Sequence, residues 1–159
     1  MELKPPIRFE ADWKNTVFLG GSINMGSSPD WQKGVAQRLL DKFDKLWVFN
    51  PRRDDWDPEA KQSIKNNYFR KQVEWEIHHL DNCSVAYFHI HKDGLSPISL
   101  YELGYMTHKD TKVIVCAHPE FARFGNLDIY KSLGHFQMYT DFETSIEELE
   151  KELEKYISS

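Results

Sequence analysis

The residues of this chain best suited to chemistry are two glutamates. Glu102 lies one and a half turns into a helix opened by Ser96-Pro97, within the run Ser-Pro-Ile-Ser-Leu-Tyr-Glu-Leu-Gly. Gly104, two residues on, costs roughly 1 kcal/mol relative to alanine inside a helix, which points to something packed close beside Glu102. Glu76 falls between Val73 and Leu80 on what reads as the core-facing stripe of another helix. A carboxylate there must reach solvent, find a partner, or sit in a pocket that raises its pKa. Two carboxyls converging on one crevice, one charged and one protonated, are what glycosidic chemistry requires. Plainer readings stay open here: a solvated helix glutamate at 102 and a snorkelling edge residue at 76.

Other groups are weaker candidates. Gly20-Gly21-Ser22-Ile23 follows an apolar run, and glycines there let backbone N–H groups approach a ligand. The segment lacks the later residues of a dinucleotide fingerprint or a P-loop, so a tight strand-to-helix turn is the alternative. His89 and His91 share one strand face and His118 ends a neighbouring strand, yet no carboxylate or cysteine completes a zinc-ligand spacing, and no metal or other cofactor is expected. Arg52, Arg53 and Trp56 are placed to grip a base or a phosphate, or else to hold a long loop. No Gly-x-Ser-x-Gly elbow supports a serine triad.

The elements that must position these groups alternate regularly. Apolar runs at Thr16–Gly20, Leu46–Phe49, Ser84–Ile90, Lys112–Ala117 and His135–Tyr139 read as five strands. Helices are expected from Ser28-Pro29-Asp30 to about Phe43, with Val35, Leu39 and Leu40 inward. Others are expected over Tyr68–Leu80, with a stripe of Phe69, Val73, Ile77 and Leu80, and over Ile98–His108. A capping box at Thr144–Glu147 opens the acidic last helix. Strand–helix alternation implies one α/β domain: a single doubly wound, flavodoxin-like, mostly parallel sheet with helices on both faces. Such folds bind ligands at the carboxyl ends of their strands, where Gly20–Ile23, Asn50–Arg53 and His91–Ser96 would lie. Residues 1–15 read as an N-terminal arm or extension and residues 16–159 as the domain.

The bulk composition narrows the class. A chain of 159 residues with 40% hydrophobic and 14% aromatic residues has enough apolar material for one core. A net charge of −5 argues against a nucleic-acid partner, which needs a cationic surface. The two cysteines, Cys83 and Cys116, match neither a zinc ribbon nor a redox pair, so free buried thiols in a reducing compartment are expected. With no apolar stretch long enough to span a bilayer and no signal-peptide pattern, the expectation is a cytoplasmic protein without a membrane partner.

Taken together, the segments VFLGGSI, WEIHHLDNCSVAYFHI, SPISLYELGY and GNLD resemble the nucleoside 2-deoxyribosyltransferase superfamily over roughly Thr16 to Tyr139. NPRRDDW resembles its transferase-like branch. The resemblance implies a covalent mechanism on 2-deoxynucleosides and free nucleobases, with Glu102 as nucleophile and Glu76 as the second acid. It implies that Gly20, Gly21, Ser22 and Ile23 line the sugar site, that Ser96 contacts the sugar or its phosphate, and that Asn50, Arg52 and Trp56 face the base. Asn126, with Asp128 in Gly-Asn-Leu-Asp, matches a residue that a neighbouring subunit contributes, which implies a homo-oligomer with shared sites; Tyr130 and Phe136 are expected to be exposed. Two departures stand out: Phe18 replaces a tyrosine whose hydroxyl orients the nucleophile, and Glu76 replaces an aspartate. Hydrolysis of nucleoside 5′-monophosphates and a non-catalytic nucleotide-binding module on the same fold are the rival readings.

Overall fold

The computed structural model describes residues 1–10, 12–22 and 30–157. Six strands form one all-parallel sheet in the order β1-β3-β2-β4-β5-β6. The strands are β1 (Glu2–Leu3), β2 (Thr16–Gly21), β3 (Trp47–Phe49), β4 (Val85–Ile90), β5 (Lys112–Ala117) and β6 (Gln137–Tyr139). Five helices alternate with them: α1 (Trp31–Lys42), α2 (Asn67–Asn82), α3 (Pro97–Met106), α4 (Phe124–Ser132) and α5 (Phe142–Ile157). Apart from β1, the strand order is that of a flavodoxin-like sheet. The sixth strand exceeds the five expected because two residues are too short to carry a period-2 pattern.

The sheet is apolar on both faces, as a parallel sheet covered by helices must be. One core joins Phe18, Phe88 and Val115 to Trp75 and Leu80 of α2, Leu103 and Met106 of α3 and Leu127 of α4. The other joins Val17, Leu19, Tyr87 and Ile114 to Leu39 of α1 and Leu149 of α5. The two glutamate-bearing helices therefore lie on the same face. Among the described residues no helix is long and apolar enough to cross a membrane.

Segments 1–15 and 50–66 are tied together. Asn50 N donates to Leu3 O, and the buried Asn50 amide donates to Glu2 Oε1 at 2.8 Å. Lys4 meets Asp54 at 2.9 Å, and Phe9 sits in the core against Trp13, Trp47 and Phe49.

Several local expectations are corrected. The buried face of α2 is Gln72, Trp75, His79 and Leu80, whereas Ile77 is 47% exposed. Trp75 and His79 can turn inward because their polar atoms are satisfied: Trp75 Nε1 donates to Ile7 O, while His79 Nδ1 meets Trp75 O and its Nε2 accepts from Phe9 N. Burial pushes the His79 pKa down to about 4, so the ring is neutral in this role. Leu40 is only partly buried, and Ala36 takes its place in the core. Asp30 caps α1 by accepting from Lys33 N; Ser28 and Pro29 lie outside the described residues. Asp141 rather than Thr144 caps α5, accepting from both Thr144 N and Thr144 Oγ1. The helix α4 has no counterpart in the sequence reading.

Candidate active site

The sheet reverses direction of winding at β2, which has β3 on one side and β4 on the other. Ligand crevices in such sheets open at the carboxyl ends of the strands flanking that point. Here those ends are Gly20-Gly21-Ser22 and Ile90-His91, with α3 packed against both strands.

Both glycines are demanded by packing. A Cβ on Gly20 would lie 2.6 Å from the Phe88 ring, and one on Gly21, whose φ is +135°, would lie 2.2 Å from His89 O. Ser22 N donates to His89 O, which spends on the sheet a group that otherwise faces a ligand. Ser22 Oγ accepts from His91 N at 3.1 Å and lies 2.6 Å from Ser96 Oγ. Ser96 precedes α3 with φ 43° and ψ 46°, and its hydroxyl does not cap the helix; it is turned to Ser22 instead. The structure thus brings Ser22 and Ser96 together at the mouth of the crevice. Ile23 lies outside the described residues.

Glu76 on α2 and Glu102 on α3 form the electrostatic centre. Each side chain is half-buried. Desolvation is the largest cause raising both carboxyls well above their ordinary range, and the charge of Glu76 raises Glu102 further. The Gln72 amide opposes this at Glu76, donating Nε2 to Glu76 Oε1 at 2.7 Å. Two neighbouring carboxyls in this setting cannot both ionise cheaply, so the pair retains a proton near neutral pH. Phe18 is fully buried in the core on this face, its ring 6.3 Å from that of Trp75. Gln72 was not singled out in the sequence; its i−4 spacing from Glu76 was the available signal.

The remaining candidates lie farther out or are already engaged. Asn50 is fully buried and binds Glu2 and the Arg52 N–H rather than standing in open space. Arg52 Nε lies 3.8 Å from Asp30, while Arg53 pairs in bidentate fashion with Asp55 and stacks over Tyr68. Trp56 is 40% exposed beside Tyr68. Among the described residues no group of three or more His, Cys, Asp or Glu is arranged to hold a metal. His89 and His118 are each 6.4 Å from His91 between ring centroids.

A cleft of about 470 Å³ lies away from the carboxyls. Leu100, Leu103, Gly104 and Thr107 line it from α3 and Asn126 from α4. At 100° per residue, Glu102 sits about 150° round the helix from that stripe. Asn126 and Glu102 of one chain therefore face different sides of α3. Nothing lies within 4 Å of a Cβ built on Gly104, which corrects the expectation that this glycine admits a close neighbour. Asp128 pairs loosely with Lys131 at 3.9 Å. Tyr130 is exposed as expected, but Phe136 is buried in the core beside Met138.

A family model described as nucleoside 2-deoxyribosyltransferase like matches residues 14–121, which takes in both glutamates and stops short of Asn126. Comparison with curated proteins gives no match. Among solved structures, a conserved protein from Enterococcus faecalis V583 is similar, with a TM-score of 0.54 at 11% identity over 89% of this chain and 98% of that one. That likeness is one of fold.

The carboxyl pair has a measurable consequence for stability. Its folded-state pKa values lie above the unfolded value of 4.5, so the folded protein holds protons that the unfolded chain has released. Stability from this source is full below that value and is lost as pH rises through the raised range. Replacing Glu102→Gln removes one charge from the pair and should stabilise the protein by about 1 to 2 kcal/mol at pH 8, with the gain vanishing near pH 4.5. Thermal unfolding at both pH values checks this; no gain at pH 8 would mean the two carboxyls ionise without strain.

Proposed function

The chain belongs to the nucleoside 2-deoxyribosyltransferase-like family, and from that premise we propose that it moves a 2-deoxyribosyl group between nucleobases through a covalent sugar ester on Glu102. The observation that carries this reading is the pair of half-buried glutamates on α2 and α3, packed on one face of the sheet, with the charge of Glu76 acting on Glu102.

The chemistry follows from what each bond requires. An ionised Glu102 attacks the anomeric carbon as the bond to the base nitrogen breaks, through an oxocarbenium-like transition state. The bonding electron pair leaves with the base, and a proton from Glu76 neutralises it, because a nucleobase anion is a poor leaving group. A second base then attacks the same carbon from the opposite face, returns its proton to Glu76 and frees the Glu102 carboxylate, with net retention. The stronger upward push falls on Glu102, so catalysis needs the shared proton to pass to Glu76 and leave the charge on Glu102. The positive charge developing on the sugar stabilises that arrangement. Ser22 and Ser96 border the sugar, and the segment carrying Asn50, Arg52 and Trp56 borders the base. Phe18 offers no hydroxyl to orient Glu102, so its contribution is apolar.

Free 2-deoxynucleosides suit this site better than their 5′-monophosphates. A phosphate dianion wants several donors and usually a guanidinium. Arg52 and Arg53 already face Asp30 and Asp55, and the net charge of −5 gives no long-range attraction. The buried free thiols Cys83 and Cys116 fit a cytoplasmic setting.

The site is shared between subunits in this reading. Asn126 faces away from its own Glu102, and Ile98, Tyr101, Ile129 and Leu133 expose apolar surface on α3 and α4. Asn126 then completes the site of a neighbouring copy.

Incubating the protein with deoxyinosine, with and without adenine, separates the possibilities. Formation of deoxyadenosine supports transfer; free hypoxanthine and sugar alone would make the enzyme a hydrolase, and no reaction would favour a binding module. In the same assay a tenfold preference for the 5′-monophosphate would reverse the substrate choice. Mixing inactive Glu102→Ala and Asn126→Ala proteins should restore activity in mixed oligomers; absence of complementation would contradict the shared site.

A further inference from the structure

We infer that Gln72 is a positioning residue for this reaction: its side-chain amide clamps the Glu76 carboxyl to the carbonyl of Pro51, fixing which oxygen of the acid delivers the proton. The inference rests on the reading of Glu76 as the general acid.

Gln72 is 6% exposed, one turn before Glu76 on α2. Its Nε2 donates to Pro51 O at 2.9 Å and to Glu76 Oε1 at 2.7 Å. A carbonyl can only accept, so Pro51 fixes the amide with its nitrogen toward the acid. Both N–H groups are then used. The price of this orientation is visible on the other side of the amide, where Oε1 is buried without a hydrogen-bond partner among the described residues. An amide held despite that orphan is held for its donors.

The consequence for Glu76 is geometric. A donor on Oε1 makes that atom the carbonyl-like oxygen of the protonated acid, which leaves the proton on Oε2. The same bond favours the ionised form and so keeps Glu76 a strong enough acid to release its proton. On α3, Glu102 is coupled to this acid, its own pKa raised by the charge of Glu76. Pro51 adds a link to the substrate loop. It follows Asn50, whose side chain is anchored on Glu2 and whose Oδ1 holds the Arg52 N–H. The acid and the segment assigned to the base are thereby held in one hydrogen-bonded chain.

The test combines a carboxyl titration with leaving-group dependence in the full-length protein. In a Glu102→Gln background, which removes the coupling, NMR of the ¹³C-labelled Glu76 carboxyl should show its midpoint rise by about one pH unit when Gln72→Met is added. With Glu102 intact, Gln72→Met should lower kcat for deoxyinosine at least about tenfold with KM changed less than about threefold. It should barely slow a 7-methylated purine deoxynucleoside, whose base departs without protonation. Gln72→Asn, with its amide one methylene short, should shift the titration in the same direction and serves if the methionine variant does not fold. An unmoved midpoint, or equal losses on both substrates while Glu76→Gln still distinguishes them, overturns the role of Gln72. Equal losses for Glu76→Gln itself, with the midpoint still moved by Gln72→Met, would instead remove the acid role from Glu76.

Discussion

The structure depends on a repulsion. Glu76 and Glu102 are carried by separate helices, α2 and α3, on the same face of the sheet, and both have lost much of their solvent. In water two such groups would simply ionise. Here the second ionisation is opposed by desolvation and by the first charge, so a proton stays in the site at a pH where an ordinary glutamate has none. Trp75, Leu103 and Met106 fix the two helices on the sheet, in the same core as the fully buried Phe18. The strain is offset by the rest of the molecule, whose two cores lie on either face of an all-parallel sheet.

The crevice beside this pair is made by the same packing constraints that make the sheet. Gly20 exists to admit the Phe88 ring, and Gly21 to admit the backbone of His89. That close approach lets Ser22 N reach His89 O and brings Ser22 Oγ to Ser96 Oγ across the mouth of the crevice. The N-terminal residues add a second layer: Glu2, Lys4 and Phe9 hold β3 and the segment after it through Asn50, Asp54 and Trp47.

Much of this was legible in the sequence, for identifiable reasons. Strand β5 carries five consecutive apolar residues after Lys112, and the strand spans Lys112–Ala117 as its pattern predicts. Glu102 stands out through its Pro-opened helix and Glu76 through its place on an apolar helix face; in the structure the charge of Glu76 raises the pKa of Glu102. What was not legible depended on tertiary partners. Hydropathy turns Ile77 of α2 inward rather than His79, yet His79 finds Trp75 O and Phe9 N and goes inside while Ile77 is exposed. Gly104 suggested a close neighbour but instead faces an open cleft. Strand β1 is too short to have a period, and Gln72 is a polar residue whose meaning appears only when Pro51 comes within 2.9 Å of it.

The central claim is that the Glu102 carboxylate becomes covalently bonded to the sugar. It is tested most directly by mass spectrometry of the intact protein, and of its peptides, after incubation with a 2-fluoro-2-deoxy nucleoside. The fluorine destabilises the oxocarbenium-like transition states of both formation and breakdown, so the ester accumulates once formed because its turnover is slow. The account predicts one fluorodeoxyribosyl group per chain, located on Glu102 in the peptide containing Ser-Leu-Tyr-Glu-Leu-Gly. An adduct on another side chain, or turnover of the natural nucleoside at an undiminished rate by Glu102→Ala, would contradict it.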